Sequence, residues 1–266
     1  MGAILLIASK VHAQNLFEAK SAGKIYEVTP GGGQNNFASG IVNPSALVFN
    51  SAGNLFVASD SSIIEIKPGG AKSTFASGVF WTEGLAFNSA GDLFATTVGG
   101  TIREFTPDGV QSTFASGLKN LGELAFDSSG NLFAIGGNKI YEVTSDGTQS
   151  IFASGLHQLS GLAFDSAGDL FVGDGRKIYE YAPDGAKSIF ASKLRKPSVL
   201  TFDSSDDLFV REGTSIYEYT PGGAKSIFAS GLDFPTFMAF EPVPEPSALG
   251  LLAVGTIALL ARCRRK

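Results

Sequence analysis

Chemistry in this chain of 266 residues falls to carboxylates and hydroxyls. His12 and His157 are the only histidines, and Cys263 is the one cysteine. A thiolate cage, an internal disulfide and a histidine-rich metal site are therefore excluded. Serines are abundant, yet no nucleophile elbow, phosphate loop or catalytic triad is present, and His157 is the sole histidine of the body. A glutamate recurs at Glu27, Glu65, Glu104, Glu142, Glu180 and Glu218, which would suggest a ring of metal ligands. Asp/Asn-Ser-X-Gly segments, as at Asp127–Gly130, invite comparison with calcium loops. They lack the alternating ligands of such loops and read as Asx turns, with Gly supplying positive φ. Asp206 replaces Gly in one copy, and Asp tolerates that conformation.

The elements that must position these groups are set by a repeat. The triplet Phe-Ala-Ser starts at Phe37, Phe75, Phe114, Phe152, Phe190 and Phe228, at spacings of 38, 39, 38, 38 and 38 residues. A second Phe follows each by 12 residues, at Phe49, Phe87, Phe126, Phe164, Phe202 and Phe240. A third set stands at Phe17, Phe56, Phe94, Phe133, Phe171 and Phe209, so that 18 of the 22 Phe belong to the pattern. Residues 160–193 show one unit: the runs GLAF, DLFVG, KIYEY and KSIFAS, separated by turn residues such as Pro183-Asp184-Gly185. The runs are too short for helices and are apolar on both faces, as expected of blades packed between two neighbours. A period near 40 with four short strands predicts a β-propeller.

The phase of the repeat predicts closure. The chain enters at a second strand, Leu16–Ala19, and leaves after a lone first strand, Thr236–Glu241. Together these complete one blade and remove the open sheet edges. The expectation is all-β: a six-bladed propeller over residues 14–241, each blade a four-stranded antiparallel sheet, the first blade shared by both chain ends. In that geometry the recurrent glutamates lie on third strands, roughly 10 Å outside the innermost strand. They diverge, and pairing with fourth-strand Lys72, Lys187 and Lys225 or with hydroxyls is expected. Spacing between runs is nearly constant, and the ring has none of the inserted loops that carry elaborate active sites.

The ends read as targeting segments. Residues 2–9 form a short apolar run followed by Val-His-Ala-Gln, so 1–13 is read as a signal peptide, truncated because it lacks a basic start. At the other end Pro244-Glu245-Pro246 precedes an apolar stretch and Arg262, Arg264, Arg265 and Lys266. Residues 242–266 resemble a PEP-CTERM sorting signal, with a short transmembrane helix at 247–261. The resemblance implies export in a Gram-negative bacterium, tethering in the inner membrane and removal of the tail by an exosortase. The sorted protein is then expected at the cell surface or in the extracellular matrix. Formal charge is −5; Lys10, four tail cations and Glu245 together carry +4, which leaves −9 on the body. An acidic body argues against nucleic acid, whose binding requires phosphate neutralisation.

The segment GLAFDSAGDLFVGD resembles NHL-type repeats and gluconolactonase-like six-bladed propellers. That resemblance implies a central divalent metal, held by residues four positions before each LAF-type Phe. Here these are Ser45, Glu83, Gly122, Ser160, Ser198 and Thr236, of which only Glu83 is a carboxylate. Glu123, one residue out of register, is expected to face the other way. One carboxylate with hydroxyls is a poor cage for calcium, which takes six to eight oxygens. No cofactor is expected, and Glu83 is a weak metal candidate at most.

The blade-to-blade connections vary most. Phe80, Trp81, Glu83, Asn120, His157, Arg195, Lys196 and Phe234 are therefore the candidate ligand-binding rim, for a glycan or protein partner. Trp81 is either a reader of that ligand or, if Phe80 folds inward, a plug over the channel mouth. The expected function is a non-enzymatic binding scaffold. The alternatives are a metal-dependent lactonase or hydrolase using Glu83, and a structural spacer with no specific ligand.

Overall fold

The computed structural model describes residues 14–20, 22–232 and 237–242. Twenty-four strands form six four-stranded antiparallel sheets. The composite blade contains β1 (Leu16–Lys20), β2 (Lys24–Val28), β3 (Gln34–Ser39) and the last strand, β24 (Phe237–Phe240). The second blade comprises β4 (Pro44–Phe49), β5 (Leu55–Ser59), β6 (Ser62–Ile66) and β7 (Lys72–Ser77). The third comprises β8 (Leu85–Phe87), β9 (Leu93–Thr97), β10 (Thr101–Phe105) and β11 (Gln111–Ala115). The fourth comprises β12 (Leu121–Phe126), β13 (Leu132–Gly136), β14 (Lys139–Val143) and β15 (Gln149–Ala153). The fifth comprises β16 (Leu159–Phe164), β17 (Leu170–Asp174), β18 (Lys177–Tyr181) and β19 (Lys187–Ser192). The sixth comprises β20 (Pro197–Phe202), β21 (Leu208–Glu212), β22 (Ser215–Tyr219) and β23 (Lys225–Ala229).

The phenylalanine repeat is a seam between blades. In each second strand the Phe takes two edge-on partners: the Phe of its own fourth strand and the first-strand Phe of the next blade. Phe56 meets Phe75 and Phe87, each at 5.0 Å between ring centres. The same trio forms as Phe94–Phe114–Phe126, Phe133–Phe152–Phe164 and Phe171–Phe190–Phe202. Such T-shaped pairs each add about 0.5–1.5 kcal/mol beyond area burial. This is why three Phe are required per period.

Closure uses the same device. Phe209 of the sixth blade packs on Phe228 and, at 4.7 Å, on Phe240 of the C-terminal strand. That strand pairs antiparallel with β1, Leu16 opposite Phe240 and Ala19 opposite Phe237. Glu241 N adds a bond to Asn15 O at 3.0 Å. The first strand expected over Thr236–Glu241 is therefore observed as Phe237–Phe240, with Thr236 outside the described residues.

Turn chemistry follows the sequence. Asp127 Oδ1 accepts bonds from Ser129 N and Asn131 N at 2.9 and 2.7 Å, and Asn50, Asn88 and Asp203 act likewise. Asp206 adopts φ 58° in place of the usual Gly. The third-strand glutamates meet hydroxyls: Ser73, Ser112, Ser150, Ser188 and Ser226 each donate to the Glu directly opposite, at 3.1–3.4 Å. Of the two expected partners, lysine or hydroxyl, these bonds are the hydroxyl. Lys187 and Lys225 lie over the faces of Tyr179 and Tyr217, at 3.6 and 3.7 Å, because an ammonium on the fourth strand reaches the neighbouring aromatic face more directly. Lys72 donates to Ser39 O of the preceding blade.

Candidate functional site: the blade-connection face and channel mouth

Strands alternate in direction, so the connections from one blade to the next share a face with the turns between second and third strands. Each connection is built alike. Its second residue is apolar and buried: Ile41, Val79, Leu118, Leu156, Leu194 and Leu232 are 1–5% exposed. The backbone N–H of each donates to a carbonyl in or beside the second-to-third-strand turn of its own blade, at 2.9–3.3 Å. This pins the connection, and in the five connections whose next two residues are described both of those residues are exposed. The second of these is left-handed in four repeats: Asn43, Trp81, Asn120 and Lys196 have φ of 45°, 55°, 51° and 55°. Asn suits that conformation, whereas a bulky side chain does not.

Trp81 is thus the rim residue least suited to its backbone, and it is 74% exposed. Phe80, at 53%, does not fold inward; the buried member of this loop is Val79. Val98 in the β9–β10 turn is 65% exposed, and Val98 N donates to Phe80 O at 3.4 Å. Next in the chain, Thr82 has its hydroxyl buried without a hydrogen-bond partner. Trp81, Glu83, Val98, Lys119 and Asn120 line one pocket of about 370 Å³.

Glu83 and Asn120 also line a second pocket of about 430 Å³ at the channel mouth, with Ser45, Ser160 and Glu123. Glu123 does not face away from the channel. Together with Glu83 it lines the innermost cavity, which the first strands of all six blades enclose. The cause is a β-bulge. Leu121 pairs with Gly136 but Leu124 with Ala134, so Gly122 and Glu123 both oppose Ile135 and strict alternation is lost. Glu123 Oε2 accepts a bond from Leu162 N of the next blade at 3.2 Å. Desolvation pushes its carboxyl up from 4.5 to about 7, with the Leu162 amide pulling the other way. The preceding blade comes close at this point. A Cβ placed on Gly84 would lie 2.6 Å from Gly122 O.

Phe80, His157, Arg195 and Lys196 are on the same face but line neither pocket. His157 is exposed, and its backbone N–H, like that of Gln158, is held by Asp174 Oδ1. Arg195 and Lys196 are exposed, with Arg195 N bound to Glu212 Oε2 at 2.8 Å. Phe234 and the sorting residues Pro244, Glu245, Pro246, Arg262, Arg264 and Arg265 lie outside the described residues. Sequence reasoning turned Glu123 away from the channel, and it missed Val98. Gly122 was the available signal, since Gly within a strand marks a bulge. Among the described residues no group of three or more His, Cys, Asp or Glu is placed to hold a metal ion. Among them, too, no helix is long and apolar enough to cross a membrane.

The fold and the face it presents define a closed six-bladed β-propeller with a channel mouth. Solved structures of low sequence identity share this fold. A streptogramin B lyase superposes with a TM-score of 0.67 at 15% identity, covering 82% of this chain and 80% of that one. A virginiamycin B lyase from Staphylococcus aureus gives 0.64 at 16%, covering 82% of each chain. A gluconolactonase from Xanthomonas campestris gives 0.64 at 15%, covering 81% and 84%. Comparison with curated proteins returns no significant match. Residues 242–266 match the PEP-CTERM protein-sorting motif. The motif indicates export by sorting, processing by an exosortase-type enzyme, and a cell-surface or extracellular destination in a Gram-negative bacterium.

Proposed function

We propose that this exported propeller is a non-enzymatic binding scaffold that takes a glycan or protein partner on its blade-connection face. The observation that carries the reading is Trp81: an exposed aromatic in a left-handed backbone, at the edge of a pocket of about 370 Å³. Strain of this kind costs about 1–3 kcal/mol and persists where something other than stability selects it. The orphaned Thr82 hydroxyl in the same loop is a second local cost. Trp is also the side chain most enriched at binding hot spots.

The domain reading extends this proposal: a leader over 1–13, the ring over 14–241, and a sorting tail over 242–266 with a short membrane helix at 247–261. Glu241 is bonded to Asn15, at the face opposite the blade connections. A tether leaving there points the rim away from the membrane. Five residues, 242–246, reach at most about 18 Å when extended, so the opposite face would lie close to the bilayer.

A second reading has one observation in its favour. Glu123, with a carboxyl near pH 7 beside Glu83 in the channel, is the kind of perturbed group found at catalytic sites. A lactonase or hydrolase would use this pair. The experiment that separates the readings is a thermal-shift series with Ca²⁺, Zn²⁺ and Mg²⁺, run beside a lactone and ester panel. The scaffold reading expects no metal-linked rise in melting temperature and no turnover. Turnover lost in both Glu83→Gln and Glu123→Gln would replace it with the hydrolase reading. A spacer without a ligand is the outcome if neither binding nor turnover is found.

A further inference from the structure

We propose that Arg176, Lys193, Arg195 and Lys196 form a binding surface for an anionic polysaccharide. The inference rests on the scaffold reading for its choice of face, and it adds the chemical class of the ligand. Lys193 to Lys196 places three cations in four residues on the connection between β19 and β20, and Arg176 stands in the β17–β18 turn. The two segments are joined by a reciprocal pair of bonds. Leu194 N donates to Arg176 O at 3.0 Å, and Arg176 Nε donates to Leu194 O at 3.1 Å. All four cations are exposed.

The backbone shows that the lysines are held at a cost. Lys193 has φ 61° at the position that Gly40, Gly78, Gly117, Gly155 and Gly231 occupy in the other repeats, with φ of 72–80°. Lys196 has φ 55° where Asn43 and Asn120 stand. A left-handed residue other than Gly costs about 1–2 kcal/mol. This one connection accepts that cost twice, each time with a lysine in place of the low-cost residue.

The nearby carboxylates are turned to other partners. Asp174 Oδ1 accepts from His157 N and Gln158 N. Glu212 accepts from Arg195 N, from Tyr219 OH at 3.1 Å and from Lys225. Among the described residues the ion pairs Lys20–Glu18 and Lys225–Glu212 involve none of the four cations. A local cationic sector therefore stands on a body of net charge −9, which steers anions to one place.

The chemistry of the sector selects among anions. Leu194 is 4% exposed and Pro197 is buried, so the cations have no apolar anchor between them. Protein interfaces are built around such anchors and are depleted in Lys. The C-terminal strand leaves the ring on the opposite face, which turns the sector away from a membrane holding the tail. A polysaccharide bearing carboxylate or sulfate groups needs only spaced cations, and the Arg forks match carboxylates bidentately.

The test is binding of the full-length protein to polygalacturonate, with dextran, phosphatidylglycerol vesicles and duplex DNA as comparison ligands. Retention by polygalacturonate and not by dextran is expected, weakening several-fold as salt rises from about 50 to about 300 mM. Lys193→Gly with Lys196→Asn and Arg195→Gln should weaken it about tenfold. These changes relieve backbone strain, so the melting temperature should hold or rise. Lys67→Gln, which removes an exposed cation from the β6–β7 turn on the opposite face, should leave polygalacturonate binding within about twofold. Absent retention, retention indifferent to the triple change, or stronger retention by vesicles or DNA would each overturn the proposal. If any of these occurs while another glycan or protein binds in a Trp81-dependent way, the scaffold reading survives without it. If no ligand of any class binds, both fail together.

Discussion

Replacing Trp81 by Asn should separate binding from stability. The indole is 74% exposed, so about a quarter of its surface touches protein. On a side chain of roughly 250 Å² that is some 65 Å². At ~25 cal/mol per Å² the lost burial costs about 1.5 kcal/mol, an upper limit because unfolded chains already bury part of their surface. Opposing it is relief of the left-handed backbone at φ 55°, worth about 1–2 kcal/mol for a bulky residue and less for Asn. The contributions nearly cancel. Stability should change by less than about 1 kcal/mol, which for a domain of this size moves the melting temperature by no more than ~4 °C. Affinity for a rim ligand should fall by about 2 kcal/mol or more, close to thirtyfold. Calorimetric melting and titration calorimetry on the same preparations read both quantities. A melting temperature lowered by ten degrees or more with unchanged affinity would show that Trp81 supports the ring and reads nothing.

Three further outcomes follow from the geometry. Phe240→Ala removes the aromatic contact that joins the C-terminal strand to Phe209; a loss of about 3 kcal/mol is expected, and thermal unfolding unaffected by it or by deletion of 237–241 would count against closure. Glu123 has its folded pKa raised to about 7 from 4.5, so the folded state holds the proton more tightly. Its contribution is therefore complete below about pH 4.5 and is lost as pH rises through 7. The loss is on the order of 3 kcal/mol at most, and smaller in practice because the carboxyl is partly open to the channel. Glu123→Gln should accordingly gain stability relative to the parent between pH 5 and 8, and chemical denaturation at the two pH values reads this; equal differences at both would refute the desolvated carboxyl. Gly84→Ala should destabilise the seam between the third and fourth blades, since its Cβ would meet the Gly122 carbonyl, and a melting temperature unmoved by it would show that the two inner strands can separate.

Much of the ring was legible because its rules are periodic. Three Phe sets at fixed offsets report the seam trios directly, and the phase of the first and last strands reports closure. The Asx turns were legible for the same reason: Asp or Asn followed by Gly has few ways to fold. The site was less so. Strict alternation would turn Glu123 from the channel, yet one extra residue in β12 against β13 reverses that result. The order Gly122-Glu123, where the preceding repeat has Glu83-Gly84, holds the clue, but a single Gly does not locate a bulge. Of the two partners expected for the third-strand glutamates, the hydroxyls are seen, while Lys187 and Lys225 lie over tyrosine faces on the same strands as the glutamates. The left-handed connections were hidden too, since Trp81 and Lys193 are residues that composition would never assign to such a backbone.

The central claim, that the blade-connection face binds a partner without chemistry, is tested most directly by presenting the purified protein to glycan and envelope-protein arrays with and without a chelator. The account predicts saturable binding that survives chelation, is lost when Trp81 and the 193–196 cations are replaced, and leaves the bound molecule intact. Turnover of a bound lactone or ester, abolished by chelation and by loss of Glu83 or Glu123 while the rim changes leave it untouched, would contradict it.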